Sequence, residues 1–259
     1  MAIGAELPLI LLAAFGAGLI DSMVGGGGMI QIPALFSAYP AAPAATLLGT
    51  NKLASIFGTI SAVARYARVV RVPWRLLTPF ALLCLAGASA GAYVVTVIPS
   101  DAFRLLVPLL LTAILLYMLR RRDFGAEHRP RTLARRERVI AIALIAAIAF
   151  YEGFFGPGTG SFFMIVFVRL FGFDFLHAAA CARSLNVAAN FAATMWFGAR
   201  GHIMWSVALA MAASNVAGAL YGTRLAVRHG SAFVRKVFIL VVSLLILKTA
   251  WDALPRVLH

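Results

Sequence analysis

Long apolar stretches, separated by short polar ones, run along the whole chain. They lie at about 7–38, 44–64, 74–97 and 103–119, and then at 138–168, 175–198, 203–227 and 233–254. As helices, at about 1.5 Å per residue, they are long enough to cross a hydrocarbon core of ~30 Å. The pattern therefore predicts an all-α polytopic membrane protein.

The last four stretches repeat the first four. A shift of 131 positions without gaps superimposes residues of the two halves, among them Gly25 and Gly156, Gly27 and Gly158, Trp74 and Trp205, Gly87 and Gly218, and Gly91 and Gly222. The same shift places Asp21 on Glu152 and Lys52 on Arg183, all four within apolar stretches. Tandem membrane halves with matched buried charges are typical of transporters. We expect one integral membrane domain with a first repeat at 1–119, a cytoplasmic basic linker at 120–137 and a second repeat at 138–259.

The first stretch of each half is interrupted by glycine. About 32 residues of helix would reach ~48 Å, which is too long for one crossing and too short for two. The interruptions are Gly25–Gly28 in one half and Gly156–Gly160 in the other. Glycine costs about 1 kcal/mol per residue inside a helix, and unpaired backbone at membrane depth is tolerated only beside protein or a wet cavity. We predict two shorter helices meeting at a break in each half, either as a kinked crossing or as a re-entrant hairpin.

The basic residues distinguish between these two topologies. Re-entrant first stretches leave three crossings per half and make the halves inverted, with roughly 17 Lys and Arg inside and roughly four outside once Lys52 and Arg183 are set aside. Full crossings make the halves parallel, and the division becomes roughly 15 to six. Because cytoplasmic loops carry an excess of Lys and Arg, the inverted arrangement is favoured.

Composition agrees with a lipid environment and gives no support for a nucleic-acid partner. The chain is 62% hydrophobic, against about 45–50% in soluble domains. Its net charge of +14 comes mostly from arginines between apolar stretches, as expected of cytoplasmic loops. Cys84 and Cys181 lie within apolar stretches and show no metal-ligand spacing. We expect them to be packing residues, and we expect neither a metal site nor a cofactor.

The glycine breaks are the first candidate binding elements. A broken helix exposes backbone N–H groups at the start of its second part, where the helix dipole favours an anion. We expect this role for Gly25, Gly26, Gly27, Gly28, Gly156, Gly158 and Thr159. The alternative is close helix packing, which we favour for the isolated glycines Gly87, Gly91, Gly218 and Gly222.

Lys52 and Arg183 are the second candidates. A base near the middle of a membrane helix costs about 2.5 kcal/mol or more, so it usually faces a cavity, an acid or a charged substrate. Each base begins a polar stripe, since positions i+3 and i+7 carry Ser55 and Thr59 in one half and Asn186 and Asn190 in the other. Residues so spaced share one helix face.

Cations beside amides and hydroxyls suit an oxyanion, whose oxygens accept several hydrogen bonds. We favour substrate contact for Lys52 and Arg183, with Asn51, Ser55, Asn186 and Asn190 beside them. The alternatives are an ion pair with Asp21 or Glu152 for the bases and hydrogen bonds between helices for the polar neighbours.

Asp21 and Glu152 stand four residues before the glycine breaks. An acid in low dielectric can take up and release a proton, so both are candidates for proton coupling. Pairing with the bases, or capping of the broken backbone, are the alternatives. Gln31, Ser161 and Asn215 are weaker candidates, and we interpret them as local hydrogen bonds between helices.

Particular motifs make the chain resemble the TauE/SafE sulfite exporter family, also called the toluene sulfonate uptake permeases. The first half is similar in IDSMVGGGG at 20–28, IPAL at 32–35 and TNK at 50–52, and the second in FYEGFFGPGTGSFF at 150–163. These motifs are most similar to the YfcA-like subgroup. The resemblance implies a secondary carrier, duplicated from a four-segment unit, for sulfite or organosulfur anions such as sulfonates and sulfoacetate.

The chain departs from full symmetry, because Lys52 corresponds to Arg183, and Pro157 and Thr159 correspond to Gly26 and Gly28. The two half-sites are therefore not equivalent. We expect an anion carrier of the bacterial inner membrane with its site between the repeats. A membrane receptor or scaffold, or a carrier of a small anion without sulfur, is the alternative. A membrane enzyme is disfavoured, because the chain shows no Ser-His pairing, no His/Cys ligand spacing and no phosphate loop.

Overall fold

The computed structural model describes the backbone of residues 6–99 and 129–257, with side chains through Gly230 and at Phe233, Lys236 and Leu240. Within these ranges all regular secondary structure is α-helical. The eight helices are α1 (Leu7–Val24), α2 (Gly28–Ala38), α3 (Ala44–Tyr66), α4 (Trp74–Val97), α5 (Arg135–Phe154), α6 (Thr159–Arg169), α7 (Phe175–Ala199) and α8 (Trp205–Val257).

The helices follow the apolar stretches closely. Among the described residues, α1, α3 and α4 are long and apolar enough to cross a membrane, whereas α2 and α6 are apolar but have only 11 residues each. Gly230, at φ 71°, divides α8 into two parts. The predicted stretch at 103–119 and the first half of the linker, 120–128, lie outside the described residues. Helix α5 begins at Arg135, inside the range predicted as linker.

Both predicted glycine breaks are present. Helix α1 ends at Val24 and α2 begins at Gly28, while α5 ends at Phe154 and α6 begins at Thr159. The turns use backbone angles that only glycine adopts easily, with φ of 83° at Gly25, 113° at Gly26, 102° at Gly156 and 83° at Gly158.

In the first half, α1 and α2 fold back on each other as a hairpin. Ile10 and Ala14, near the start of α1, pack in one cluster with Leu35, near the end of α2. At the other end a Cβ built on Gly27 would lie 2.5 Å from the carbonyl oxygen of Ala17. Helix α2 therefore runs back along α1, as the re-entrant alternative predicts.

In the second half, α5 and α6 form the corresponding hairpin. The backbone N–H of Arg129, before α5, donates to the carbonyl of Gly172, after α6, at 2.8 Å. The N–H of Arg131 donates to the carbonyl of Phe171 at 3.1 Å. The start of α5 and the end of α6 thus lie on the same side of the molecule.

The first helix of each half packs against a helix of the other half. Helix α1 packs mainly on α8 of the second half, and α5 packs mainly on α4 of the first. Small residues allow both approaches: a Cβ on Gly91 would lie 2.0 Å from the Phe150 carbonyl oxygen, and one on Gly222 would lie 2.3 Å from that of Leu19. A Cβ on Gly218 would lie 2.0 Å from the Phe15 carbonyl oxygen of α1, and one on Gly87 would lie 3.0 Å from the Cβ of Ala149 on α5. The packing role predicted for these four glycines is confirmed.

Helices α3 and α7 carry the two predicted bases. They pack against each other and against the fourth helices of both halves, α4 and α8. Lys52 and Arg183 are among the largest fully buried side chains of the described residues. The fold therefore places both bases inside the protein and away from lipid.

Candidate functional site

The tips of the two hairpins touch. A Cβ on Gly25 would lie 2.4 Å from the backbone nitrogen of Ser161, and one on Gly28 would lie 3.3 Å from the Cα of Pro157. The Ser161 hydroxyl donates to the carbonyl of Val24 at 2.7 Å. The glycines allow this backbone contact, so both breaks border one region.

Two ion pairs cross between the halves at this region. The Lys52 Nζ atom of α3 lies 2.6 Å from Oε1 of Glu152 at the end of α5. The Arg183 Nη1 atom of α7 lies 2.9 Å from Oδ2 of Asp21 at the end of α1. Each base also donates to the backbone carbonyl of the same acid. The two pairs are related by the sequence shift, and each ties a hairpin of one half to the second long helix of the other.

Each acid also caps its own break. Asp21 Oδ1 accepts hydrogen bonds from the backbone N–H groups of Gly26 at 3.2 Å and of Gly27 at 3.3 Å. Glu152 Oε2 accepts from the hydroxyl of Thr159 at the first residue of α6. In the first break, therefore, the acid's own carboxylate holds two of the N–H groups predicted to bind a substrate anion.

A small cavity of about 30 Å³ lies where the two breaks meet the central helices. Most of the predicted site residues line it: Asp21, Gly27, Gly28, Asn51, Lys52, Ser55, Glu152, Gly156, Thr159, Asn186 and Asn190. Gly25, Gly26, Gly158 and Arg183, which were also predicted, do not line it. Arg183 instead packs behind the second break, where a Cβ on Gly160 would lie 2.1 Å from its Nη2 atom.

Two lining residues, Gln31 and Asn215, were interpreted from the sequence as local contacts between helices. They do form one, since Asn215 Nδ2 donates to Gln31 Oε1 at 3.2 Å, and both also face the cavity. Their counterparts at the 131 shift are Phe162 and Cys84. The cavity is therefore more polar on the side of the first hairpin. An isolated amide in an apolar stretch does not indicate from the sequence whether it faces a cavity or only another helix.

Several buried amide atoms in the cavity wall have no hydrogen-bond partner among the described residues. They are Gln31 Nε2 and the Oδ1 atoms of Asn51, Asn186 and Asn190. A buried polar group without a partner costs about 1–3 kcal/mol. Because either end of a side-chain amide can be turned inward, such groups can bind an oxyanion or water in the cavity.

The charges around the cavity balance. Asp21, Glu152, Lys52 and Arg183 sum to zero when all are ionised, and the two bases are at most 1% exposed. Burying an ion without compensation costs several kcal/mol even after relaxation. A bound anion in this cavity therefore requires a compensating positive charge.

Comparison with known proteins agrees with the arrangement of motifs. Residues 10–249 match the family described as Sulfite exporter TauE/SafE. The chain belongs to this family. Its members are membrane transporters, and the chain is accordingly an integral membrane protein.

Relatives in the family extend over nearly the whole chain. A probable membrane transporter protein, ORF9, of Sinorhizobium sp is 40% identical over 239 residues, covering 91% of this chain and 88% of its own length. The probable membrane transporter protein YfcA of Escherichia coli K12 is 34% identical, covering 95% of this chain and 90% of its own. A probable membrane transporter protein of Haemophilus influenzae is 33% identical, with 97% and 98% covered. No solved structure matches the chain.

Proposed function

We propose that this TauE/SafE protein is a secondary transporter of sulfite or organosulfur anions across the inner membrane, with its site in the cavity between the halves. The observation that carries the proposal is the cavity itself. It is the meeting point of two broken helices, and it is lined by Lys52, by glycines and by amide and hydroxyl groups of both halves. Small anions are bound in this way at helix breaks in transporters.

The arrangement of the hairpins supports inverted repeats. Because α1 and α2 fold back together, the first stretch makes no net crossing, and the same holds for α5 and α6. The 11 residues of α2 extend about 16 Å, roughly half of a ~30 Å core. Two such hairpins entering from opposite faces would meet at the midplane, where alternating access needs a substrate site.

Each pair of buried charges can serve coupling or gating. Asp21 and Glu152 are the candidates for carrying a proton with the anion, since each bonds a base of the other half. Breaking either pair would separate a hairpin from the helix of the opposite half. If substrate binding breaks one of these ion pairs, the hairpin can move away from that helix. The opening of the transporter would then depend on the charge of the acid in the pair.

A thermal-shift panel tests the substrate class. Purified protein is heated with sulfite, sulfoacetate, taurine, thiosulfate and aryl sulfonates, with chloride, nitrate and formate as anions without sulfur. A bound anion raises the melting temperature according to its concentration and affinity, and we expect stabilisation by sulfur oxyanions alone. Stabilisation by the sulfur-free anions instead would identify a carrier of another small anion.

Flux through proteoliposomes tests transport. We expect labelled thiosulfate or sulfite inside the vesicles to exchange with external unlabelled anion, and vesicles without protein to show no exchange. Binding without exchange in either direction would contradict the transporter and identify a receptor.

A further inference from the structure

The hydroxyl of Thr159 has two acceptors and one proton. Its Oγ1 atom lies within hydrogen-bonding distance of Glu152 Oε2 and also 2.9 Å from the carbonyl oxygen of Gly156. While Glu152 is ionised, the hydroxyl can donate to only one of them. If Oε2 carries a proton, the acid donates to the hydroxyl and the hydroxyl donates to Gly156, so both contacts are satisfied. This environment can hold Glu152 in either protonation state.

Asp21 lies in a different environment. Its described partners are the N–H groups of Gly26 and Gly27 and the guanidinium of Arg183. All of these are donors, and none can accept a proton from a carboxylic acid. The counterpart of Thr159 in the first half is Gly28, which has no hydroxyl. At each of these contacts, protonation of Asp21 would oppose two hydrogen-bond donors, and the exposed quarter of its side chain leaves solvent as the acceptor.

The base paired with Glu152 is also the one that faces the cavity. The described hydrogen bonds of the Lys52 ammonium go to the Glu152 carboxylate and to its backbone carbonyl. Neutralising Glu152 removes the counter-ion of Lys52 and leaves the cavity with one positive charge in excess. The other charged or titratable groups near Glu152 are Asp21, Cys84 and Tyr151, and of these Asp21 is already paired with Arg183.

We propose that Glu152, together with Thr159, is the proton site of coupled transport, and that Asp21 with Arg183 is a permanently charged clamp. A proton from solution binds Glu152 Oε2, the Lys52 ammonium is released, and one anionic charge of the substrate takes the place of the carboxylate. The anion and the proton leave together on the other side. This inference rests on the proposed function, because it assigns the coupling residue of the same cavity.

Proteoliposomes test the assignment with thiosulfate, which stays ionised throughout the assay and so carries no proton itself. When a pH gradient is imposed, Glu152→Gln should accumulate at least tenfold less thiosulfate than wild type, with accumulation expressed relative to each protein's own exchange rate without a gradient. Glu137→Gln is the matched control, because Glu137 lies on the same helix and pairs with Arg131 at 3.0 Å, away from the cavity; it should behave as wild type. Accumulation in Glu152→Gln at the wild-type level would overturn the proposal.

The hydroxyl is tested by a second pair of variants. Thr159→Val removes it and should lower accumulation relative to the variant's own exchange rate, whereas Thr159→Ser should show the wild-type ratio of accumulation to exchange. Asp21→Asn provides the opposite comparison. To the extent that this variant still transports thiosulfate, an imposed pH gradient should still drive its accumulation. Loss of gradient-driven accumulation in Asp21→Asn, with exchange intact, would assign the proton to Asp21 instead.

A measurement without substrate separates this inference from the proposed function. Infrared difference spectra of purified protein at acidic and alkaline pH should show the carbonyl stretch of a protonated carboxylic acid. The contribution of Glu152 to this band should be missing from the spectrum of Glu152→Gln and present in that of Asp21→Asn, while the exposed carboxylates contribute equally to both spectra. If wild-type protein moves no sulfur anion but shows this behaviour, the substrate class is wrong and the proton site stands. A band in Glu152→Gln as strong as that of wild type contradicts the proton site, whatever the substrate.

Discussion

Lys52 and Arg183 occupy equivalent positions in the two halves but have different surroundings. Lys52 lines the cavity, and a Cβ on Gly156 would lie 2.4 Å from its Nζ atom. Arg183 lies behind the second break and contacts Asp21. A lysine ammonium is a compact point charge, whereas an arginine side chain is a planar fork suited to a lasting ion pair. A lysine therefore suits the pair with Glu152, in which a substrate anion could replace the carboxylate. An arginine suits the pair with Asp21, which we expect to stay intact.

Removal of the Lys52 charge should weaken anion binding. Among the described residues, Lys52 is the base that lines the cavity, and Lys52→Met removes it. We expect the binding free energy of the anion to fall by about 2 kcal/mol or more, or roughly 30-fold in Kd. The measurement is a thermal-shift titration with thiosulfate. The double variant Lys52→Met/Glu152→Gln removes the unpaired acid as well, so its failure to bind would reflect the missing base. Wild-type affinity in either variant would contradict the assignment of Lys52.

Arg183 should matter chiefly for stability. Arg183→Ala leaves Asp21, whose side chain is 25% exposed, without its guanidinium, and losing a hydrogen bond to a charged group costs roughly 1.5–3 kcal/mol. Arg183→Ala/Asp21→Asn should recover part of this loss, as expected for residues in contact. Melting temperatures in detergent provide the readout, with Arg200→Ala as the control because that arginine lies at an exposed helix end over Trp196. If Arg183→Ala melted like wild type, the clamp would not exist.

The hairpins, at the scale of elements, depend on a few glycine conformations. Gly25 and Gly26 have positive φ at the first tip, as Gly156 and Gly158 have at the second. Because these residues lack a Cβ, the chain can reverse and the tips can come into backbone contact. Helices α1 and α5 end at this contact, and their last turns place the acids Asp21 and Glu152 beside it.

Gly156 serves both the turn and the approach of Lys52. Gly156→Ala should strain the backbone, since φ is 102°, and should push the ammonium away from Glu152. We expect loss of thiosulfate binding in addition to a cost of about 1–2 kcal/mol for the left-handed conformation. Gly201→Ala is the matched control, because Gly201 has φ 72° but nothing within 4 Å of an added Cβ. Gly201→Ala should lower the melting temperature and leave thiosulfate binding intact. Equal thiosulfate binding by the two variants would contradict a role for Gly156 at the site.

At the scale of the whole molecule, each half is stabilised by contacts with helices of the other half. The first helix of each half packs on the fourth helix of the other, and each ion pair likewise joins one half to the other. Neither half alone therefore completes the environment of its own buried charges. An anion site between the halves can then respond to their relative motion.

The inverted arrangement predicts opposite sides for corresponding loops. In a Cys84→Ala/Cys181→Ala background, Arg200→Cys should react with a membrane-impermeant thiol reagent in intact cells. Arg68→Cys, in the corresponding loop of the first half, should react only after the cells are permeabilised. Labelling of both positions under the same condition would identify parallel halves.

Much of the fold was predictable because its causes are local. Hydropathy determines the long helices, and glycine propensity determines the two breaks, so both could be predicted from neighbouring residues. The buried charges were also visible, since a base within an apolar stretch must find a cavity or a partner. The family motifs added an expectation of sulfur anions, which stays a prediction.

The sequence by itself determined the helices, the interrupted first stretch of each half, and the identity of the four buried charges. Only the tertiary structure decided which acid meets which base, because the partners lie 100 and 162 residues apart and either pairing fits the same composition. It also decided that Asp21 caps Gly26 and Gly27, and that Gln31 and Asn215 face the cavity. These are outcomes of packing between elements, and hydropathy and backbone propensity act only over a few turns of helix.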